Sequence, residues 1–165
     1  MHGLAVALSE AGWKVTGSDD EIREPSRSRL EKAGLLPEKT GWFPERITPG
    51  IEEVILGMHA RKDNPELLRA LELGIRVCSF PEFLYRYTAG KRRVVIGGSH
   101  GKTTVTSMIL HVLRHADRRF DYLVGARIEG FSNPSSLSGA GELAVFEGDE
   151  YPSSALDPRP KFHLY

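Results

Sequence analysis

The 165-residue chain predicts an α/β fold with a mainly parallel sheet, on three observations. Short apolar runs alternate with helical patterns along its length. Prolines and glycines punctuate the boundaries where helices would start and stop. A glycine-rich run, Gly97-Gly98-Ser99-His100-Gly101-Lys102-Thr103-Thr104, lies between an apolar strand and an amphipathic helix.

In order, His2 to Ala11 reads as a helix with Leu4, Ala5 and Leu8 on one face. Trp13 to Gly17 reads as a strand ending in Gly17-Ser18-Asp19-Asp20. Ser26 to Ala33 is a helix stopped by Gly34. Glu53 to Leu56 is a short strand. Pro65 to Leu73 is a helix with proline at its start and Gly74 just past its end. Ile75 to Cys78 is a strand, Pro81 to Tyr87 a short helix, and Thr88 to Lys91 a linker.

The second unit opens on the strand Arg93 to Ile96, then the glycine loop, then a helix from Lys102 to about His115. Val105, Met108, Ile109, Val112 and Leu113 follow helical spacing and are expected to face the core. Tyr122 to Val124 is a strand, Ser132 to Gly141 a loop rich in Ser, Gly and Pro, and Glu142 to Glu147 an apolar strand ending in acid. No internal repeat occurs. The chain opens directly into a helix and closes on Lys161 to Tyr165, which resembles the start of another strand. It is therefore expected to be part of a longer enzyme.

Composition narrows the partners. Lys plus Arg number 22, as do Asp plus Glu, so no whole-molecule field draws in nucleic acid or an anionic membrane. The clusters Lys91-Arg92-Arg93 and Arg118-Arg119 read as solvated faces. The single cysteine, Cys78, cannot form an internal disulfide, fits a reducing compartment and reads as a small core residue. No run approaches the ~20 apolar residues of a membrane span, and no basic leader precedes an apolar stretch. A cytoplasmic protein is expected. Nothing in the sequence sets the oligomeric state.

The chemistry centres on the glycine loop. A polyphosphate is bound by backbone N–H groups at a helix N-terminus, where the helix dipole also favours negative charge. Gly98, Ser99, His100, Gly101, Lys102, Thr103 and Thr104 are the candidate ATP-binding residues. Lys102 would neutralise the outer phosphates, and Thr103 would coordinate Mg²⁺. The common pattern G-x-x-x-x-G-K-[ST] would place glycine where Ile96 stands. A second Mg²⁺ ligand is expected at the end of a neighbouring strand. Glu147 comes first after the strand Leu143 to Phe146, with Asp149 and Glu150 left for substrate contact or support. The plainer alternative is an acidic solvated turn. His100 would either touch substrate or fill the turn.

In the first half, Ser18 and Asp19 end the predicted strand, where an acid can meet a ribose hydroxyl or simply form an Asx turn. Met58, His59 and Ala60 follow another strand, and Asn64 opens the next helix. That loop would lie at the carboxyl edge of the sheet, where open α/β folds bind ligands. For Asn64 the simple alternative is a helix cap.

These motifs resemble the Mur ligases, the ATP-dependent amide-forming enzymes of peptidoglycan synthesis. Gly98-Ser99-His100-Gly101-Lys102-Thr103-Thr104 resembles the family's G-T-H-G-K-T-T. Asp63-Asn64-Pro65-Glu66 resembles its D-N-P-E, and Glu147-Gly148-Asp149-Glu150-Tyr151 its E-A-D-E-S or E-A-D-E-Y. Asp157, Arg159, Lys161, Phe162 and Tyr165 resemble D-x-R-x-K-F-x-x-Y of the branch that adds a recycled peptide. The branch that adds L-alanine is the next nearest.

The resemblance implies a Rossmann-like N-terminal domain over residues 1–88 and the start of a P-loop central domain over 92–165. It also implies a bacterial cytoplasmic ligase using ATP and Mg²⁺ on UDP-N-acetylmuramate and a peptide or amino acid. Lys102 and Glu147 would be catalytic, and Thr103 and Glu147 would hold the metal. Ser18, Asp19, Met58, His59, Ala60, Asn64, His100, Asp149 and Glu150 would meet substrate. The family's first strand, its G-x-G-G turn, a downstream metal-binding histidine and the C-terminal domain are absent from this sequence, so the chain alone is expected to lack ligase activity. A generic P-loop NTPase or a non-catalytic nucleotide-binding module would share Lys102 and Thr103 but needs neither the 63–66 nor the 147–151 run.

Overall fold

The computed structural model describes residues 1–154 and 156–165. Helix α1 (His2–Glu10) buries Leu4, Val6, Ala7 and Leu8, so Ala7 takes the core position expected of Ala5. Helix α2 (Ser26–Lys32) ends before Gly34, whose φ of +67° suits a residue without Cβ. Strands β1 (Glu53–Leu56) and β2 (Arg76–Ser79) pair in parallel, with Glu53 opposite Arg76 and Leu56 opposite Ser79. Helix α3 (Pro65–Glu72) joins them. Asn64 caps it, its Oδ1 accepting from the N–H of Glu66 (2.9 Å) and of Leu67 (3.1 Å). Helix α4 (Phe80–Tyr87) starts directly after β2, capped by Ser79.

The expected strand at 13–17 does not form. The segment is extended, but among the described residues its backbone bonds are only the Trp13 N–H to the Leu8 carbonyl (3.0 Å) and, just beyond it, the Gly41 N–H to the Asp19 carbonyl (2.7 Å). A strand needs a ladder partner; the β1–β2 sheet supplies none. Nor is the apolar alternation used as a strand would use it, since Val15 packs on the core while Trp13, which would share its face, stays exposed.

The second half builds a four-stranded sheet in the order β3-β6-β4-β5. Strand β3 (Arg92–Ile96) and β4 (Phe120–Leu123) flank β6 (Leu143–Glu147), both parallel to it. A short strand β5 (Ser135–Ser136) pairs antiparallel with β4, inside the stretch expected to be loop throughout. Two residues are too few to leave a periodic signal. At the other end, Lys161–His163 forms a 3₁₀ turn where a strand was expected.

Helix α5 (Lys102–His115) is rotated from its expected setting. Thr106 and Leu110 are buried, with Ile109 and Leu113 half-buried against the sheet. Val105, Met108 and Val112 are 47%, 63% and 67% exposed. Two overlapping stripes of helical period exist here, and the polar Thr106 disguises the one that the sheet covers.

The two sheets share packing. Leu4, Ala7, Leu8, Cys78, Phe83 and Leu84 cluster with Leu137 from the second half, and the Tyr87 hydroxyl donates to the Leu137 carbonyl at 3.0 Å. The expected linker is part of this joint. Thr88 is fully buried and its hydroxyl donates to the Leu84 carbonyl. Lys91, read as part of a solvated cluster, instead places its ammonium 2.7 Å from the carboxylate of fully buried Asp121 and 2.7 Å from the Gly141 carbonyl. Asp121 Oδ1 also accepts from the Ser138 hydroxyl and the Gly139 N–H. Arg93 lies over the Tyr85 ring at 4.3 Å.

Lys91→Met would leave Asp121 buried without its cation. It is expected to lower unfolding free energy by about 3 kcal/mol, read as a drop in the urea midpoint. Burial, and then the neighbouring Glu53 carboxylate, push the Cys78 thiol up to about 12. The unfolded thiol ionises near its ordinary value of 9.0 while the folded one keeps its proton. Stability is therefore expected to fall as pH rises above that value, checked by urea melts at increasing pH.

Candidate functional site

The site is built where three strand ends meet. Because β3 and β6 are parallel and in register, Ile96 lies beside Glu147. The chain leaving β3 forms the glycine loop and the chain leaving β6 forms the acidic run, side by side at one carboxyl edge. The Gly148 N–H donates to the Ile96 carbonyl at 2.9 Å. A Cβ on Gly148 would stand 2.8 Å from Val95 Cγ1 and 3.0 Å from Phe162 Cβ, so glycine is what fits between the β3 side chain and the turn at Phe162.

Two glycines shape the loop's backbone. Gly98 sits at φ +140° and Gly101, the residue before α5, at +74°. Ser99, His100, Thr103 and Thr104 are exposed along its rim. Lys102 turns back over the loop, its ammonium donating to the Gly98 carbonyl at 2.6 Å and lying 3.6 Å from the Glu150 carboxylate.

Glu147 is held from the third strand end. Its Oε2 accepts from the Gly125 N–H at 2.8 Å, just past β4. Its Oε1 is buried with no hydrogen-bond partner. An unpartnered carboxylate oxygen beside a phosphate-type loop suits a hard cation, which takes oxygen ligands and shares them with phosphate. Among the described residues no group of three or more His, Cys, Asp or Glu could hold a metal unaided. Gly125 escaped the sequence reading; its one signal was its position immediately after a strand.

Asp149 and Glu150 diverge. Glu150 faces Lys102, whereas Asp149 Oδ2 lies 3.0 Å from the Lys161 ammonium. The segment between them leaves the sheet and returns. Lys161 N–H donates to the Tyr151 carbonyl, Phe162 N–H to Asp149, and Ser153 N–H to Arg159. Ser154 and Asp157 share the lining of a cavity of about 140 Å³ with Leu56 and Ser79, at the carboxyl ends of β1 and β2, and with Glu82 of α4.

The first-half candidates separate into three groups. Met58 and His59 line a cavity of about 220 Å³ together with Met1, Phe80, Ser153 and Lys161. Ala60 closes the preceding turn, its N–H donating to the Gly57 carbonyl. Asn64 has its side-chain oxygen occupied as the α3 cap, the simpler of its two readings. Ser18 is half-buried and Asp19 exposed, on the unpaired 13–19 segment instead of at a strand end. Desolvation, then a hydrogen bond with Asp20, raise the Asp19 carboxyl above the usual range.

Comparison with known proteins gives a consistent result. The family model described as "Mur ligase family, catalytic domain" matches residues 1–92. A UDP-N-acetylmuramate–L-alanine ligase of Syntrophomonas wolfei is 34% identical over 99% of this chain and 35% of its own length. The solved UDP-N-acetylmuramate:L-alanyl-gamma-D-glutamyl-meso-diaminopimelate ligase from Neisseria meningitides superposes with a TM-score of 0.87 at 28% identity, over 100% of this chain and 54% of that one. The UDP-N-acetylmuramate-alanine ligase MurC from Thermotoga maritima gives 0.71 at 29% identity, over 92% and 35%. The chain spans about a third of the length of the curated relatives it matches. Among the described residues no helix is long and apolar enough to cross a membrane.

The loop glycines can be tested without ligand. Gly101→Ala forces a Cβ into the left-handed region and is expected to cost about 1–2 kcal/mol in urea unfolding. Gly97, with open space where its Cβ would be, should accept alanine within about 0.5 kcal/mol.

Proposed function

This chain belongs to the Mur ligase family, and on that premise we propose that it carries the UDP-sugar and nucleotide sites of an ATP-dependent ligase. The reaction joins L-Ala-γ-D-Glu-meso-diaminopimelate to UDP-N-acetylmuramate in peptidoglycan recycling. Residues 1–88 would form the UDP-substrate domain and 92–165 the first part of the ATP-binding domain. The observation that carries the reading is the pairing of Ile96 with Glu147, which sets a lysine-bearing glycine loop beside a carboxylate with an unpartnered buried oxygen.

In this reading the loop from Gly98 to Thr104 wraps the ATP phosphates with its N–H groups, and the Lys102 ammonium stabilises the charge on the transferring γ-phosphoryl group. Thr103 and the free oxygen of Glu147 would hold Mg²⁺, whose chemistry when bound is charge neutralisation on the polyphosphate. Gly125 keeps the Glu147 carboxylate oriented. His100, Asp149 and Glu150 sit on the substrate side, with Ser18, Asp19 and the turn at Met58 to Ala60 on the UDP moiety. The lactyl carboxylate attacks the γ-phosphorus and displaces ADP, giving an acyl phosphate. The peptide amine then adds to the acyl carbon, and the tetrahedral intermediate expels phosphate to leave the amide.

Adding L-alanine instead is the second reading, and the relative in Syntrophomonas wolfei favours it. The peptide reading is supported by the higher TM-score to the ligase from Neisseria meningitides and by the Asp157-to-Tyr165 pattern. Assaying the complete enzyme with the tripeptide and with L-alanine decides between them; amide formed only with L-alanine overturns the peptide reading. The 165-residue chain alone is expected to make neither product. Lys102→Ala is expected to weaken ATP binding by at least about tenfold, the loss of one charge-assisted phosphate contact, read by titration with a fluorescent ATP analogue.

A further inference from the structure

We infer that Lys161 is the cation that receives an oxyanion of the UDP-sugar in the cleft between the two halves, and that Asp149 is the positioning residue that aims it. The inference rests on the proposed function for its ligand and goes beyond it in naming a residue and a role. The 220 Å³ cavity is smaller than the roughly 300–1,000 Å³ of a complete ligand site, so it fits one portion of a nucleotide sugar. Its first-half wall, Met1, Met58, His59 and Phe80, is mostly apolar. The second half adds Ser153 and Lys161, and Lys161 is the only Lys or Arg in that lining.

The lysine is held, not loose. Its side chain is 15% exposed, against 27% for Asp149. The ammonium lies 3.0 Å from Asp149 Oδ2 and 6.0 Å from the Tyr151 ring centroid. An ammonium has three donors, and one carboxylate contact leaves others for a ligand. The Ser153 hydroxyl already donates to the Arg159 carbonyl at 2.8 Å, so on the second-half wall the lysine is the donor left to meet an anion, across from His59 and the Met1 amino group. Asp149 Oδ1 also accepts from the Tyr151 N–H, so the carboxylate that fixes the lysine is itself fixed.

The placement also connects two sites. Glu150 faces Lys102 on the nucleotide loop while the adjacent Asp149 faces Lys161 on the cavity. Consecutive acids thus tether one lysine on each side of the acidic run. An anionic substrate group drawn to Lys161 would be seated against the same four-residue turn that carries Glu147.

Two groups of a UDP-sugar supply this chemistry, the diphosphate and the lactyl carboxylate. Binding of UDP-N-acetylmuramate, UDP-N-acetylglucosamine (which lacks the carboxylate) and uridine (which has no oxyanion) separates them. In Lys161→Met, affinity for UDP-N-acetylmuramate is expected to fall about tenfold while uridine binding, followed by ligand-observed NMR, stays unchanged. An equal loss with UDP-N-acetylglucosamine assigns the diphosphate; no loss there assigns the carboxylate. A merely structural lysine would weaken all three alike, and that result, or unchanged affinity for all, overturns the inference.

A wild-type measurement covers a variant that fails to fold. The dimethyl-lysine NMR signal of Lys161, assigned through Lys161→Arg, is expected to shift with UDP-N-acetylmuramate and not with uridine. Absence of that shift at saturation also overturns it. Failure of the unaltered protein to bind any UDP-sugar would instead overturn the proposed function on which the inference stands.

Discussion

The parallel pairing of β3 with β6, in the register that sets Ile96 beside Glu147, is the constraint on which the candidate site depends. Strand side chains alternate faces, so a slip of one residue would turn Glu147 away and present its neighbour. The register is secured by what surrounds it. Ala144, Val145 and Phe146 are fully buried, and Gly148, whose N–H donates to the Ile96 carbonyl, leaves room for the Val95 and Phe162 side chains that a Cβ would crowd. Loop and acidic run are adjacent because their parent strands are.

A second constraint is polar. The Lys91–Asp121 pair sits where the first half gives way to the second, with the Gly141 carbonyl completing the lysine and Ser138 and Gly139 completing the acid. Buried charges of this kind add little net stability when satisfied, yet are costly to break. Their effect here is geometric, pinning the segment before β3 to the loops around β4 and β6. Beyond the acidic run, Lys161 and Phe162 bond back to Tyr151 and Asp149, and Ser154 and Asp157 share a cavity with the carboxyl ends of β1 and β2.

The elements that were legible carry local signals. Pro65 and Gly74 bracket α3, Gly34 ends α2, and Glu53–Leu56 is a strand bounded by turns. The glycine loop was legible for the same reason, since positive φ at Gly98 and Gly101 is a local demand. What misled is equally physical. Trp13 to Gly17 has the alternation of a strand, but alternation says nothing of whether a ladder partner exists. On α5, Val105, Met108 and Val112 form an apolar stripe by spacing, yet the sheet covers Thr106 and Leu110. Lys91 looked like one member of a basic cluster because its partner lies thirty residues away.

By itself the sequence determined the α/β class, the strand–loop–helix around Lys102, the acid that closes β6 and the likeness to the Mur ligases. All of these rest on residues close together in the chain, where backbone preference and spacing act directly. Only the tertiary structure decided that Gly125 holds Glu147, that Gly148 packs between Val95 and Phe162, that Asn64 serves as a cap, and that Lys161 lines a cavity with Met58 and His59. Apart from the local Asn64 cap, which the sequence had left open against a substrate contact, each of these joins segments distant in sequence. Their meeting depends on strand order and register, which no local pattern encodes.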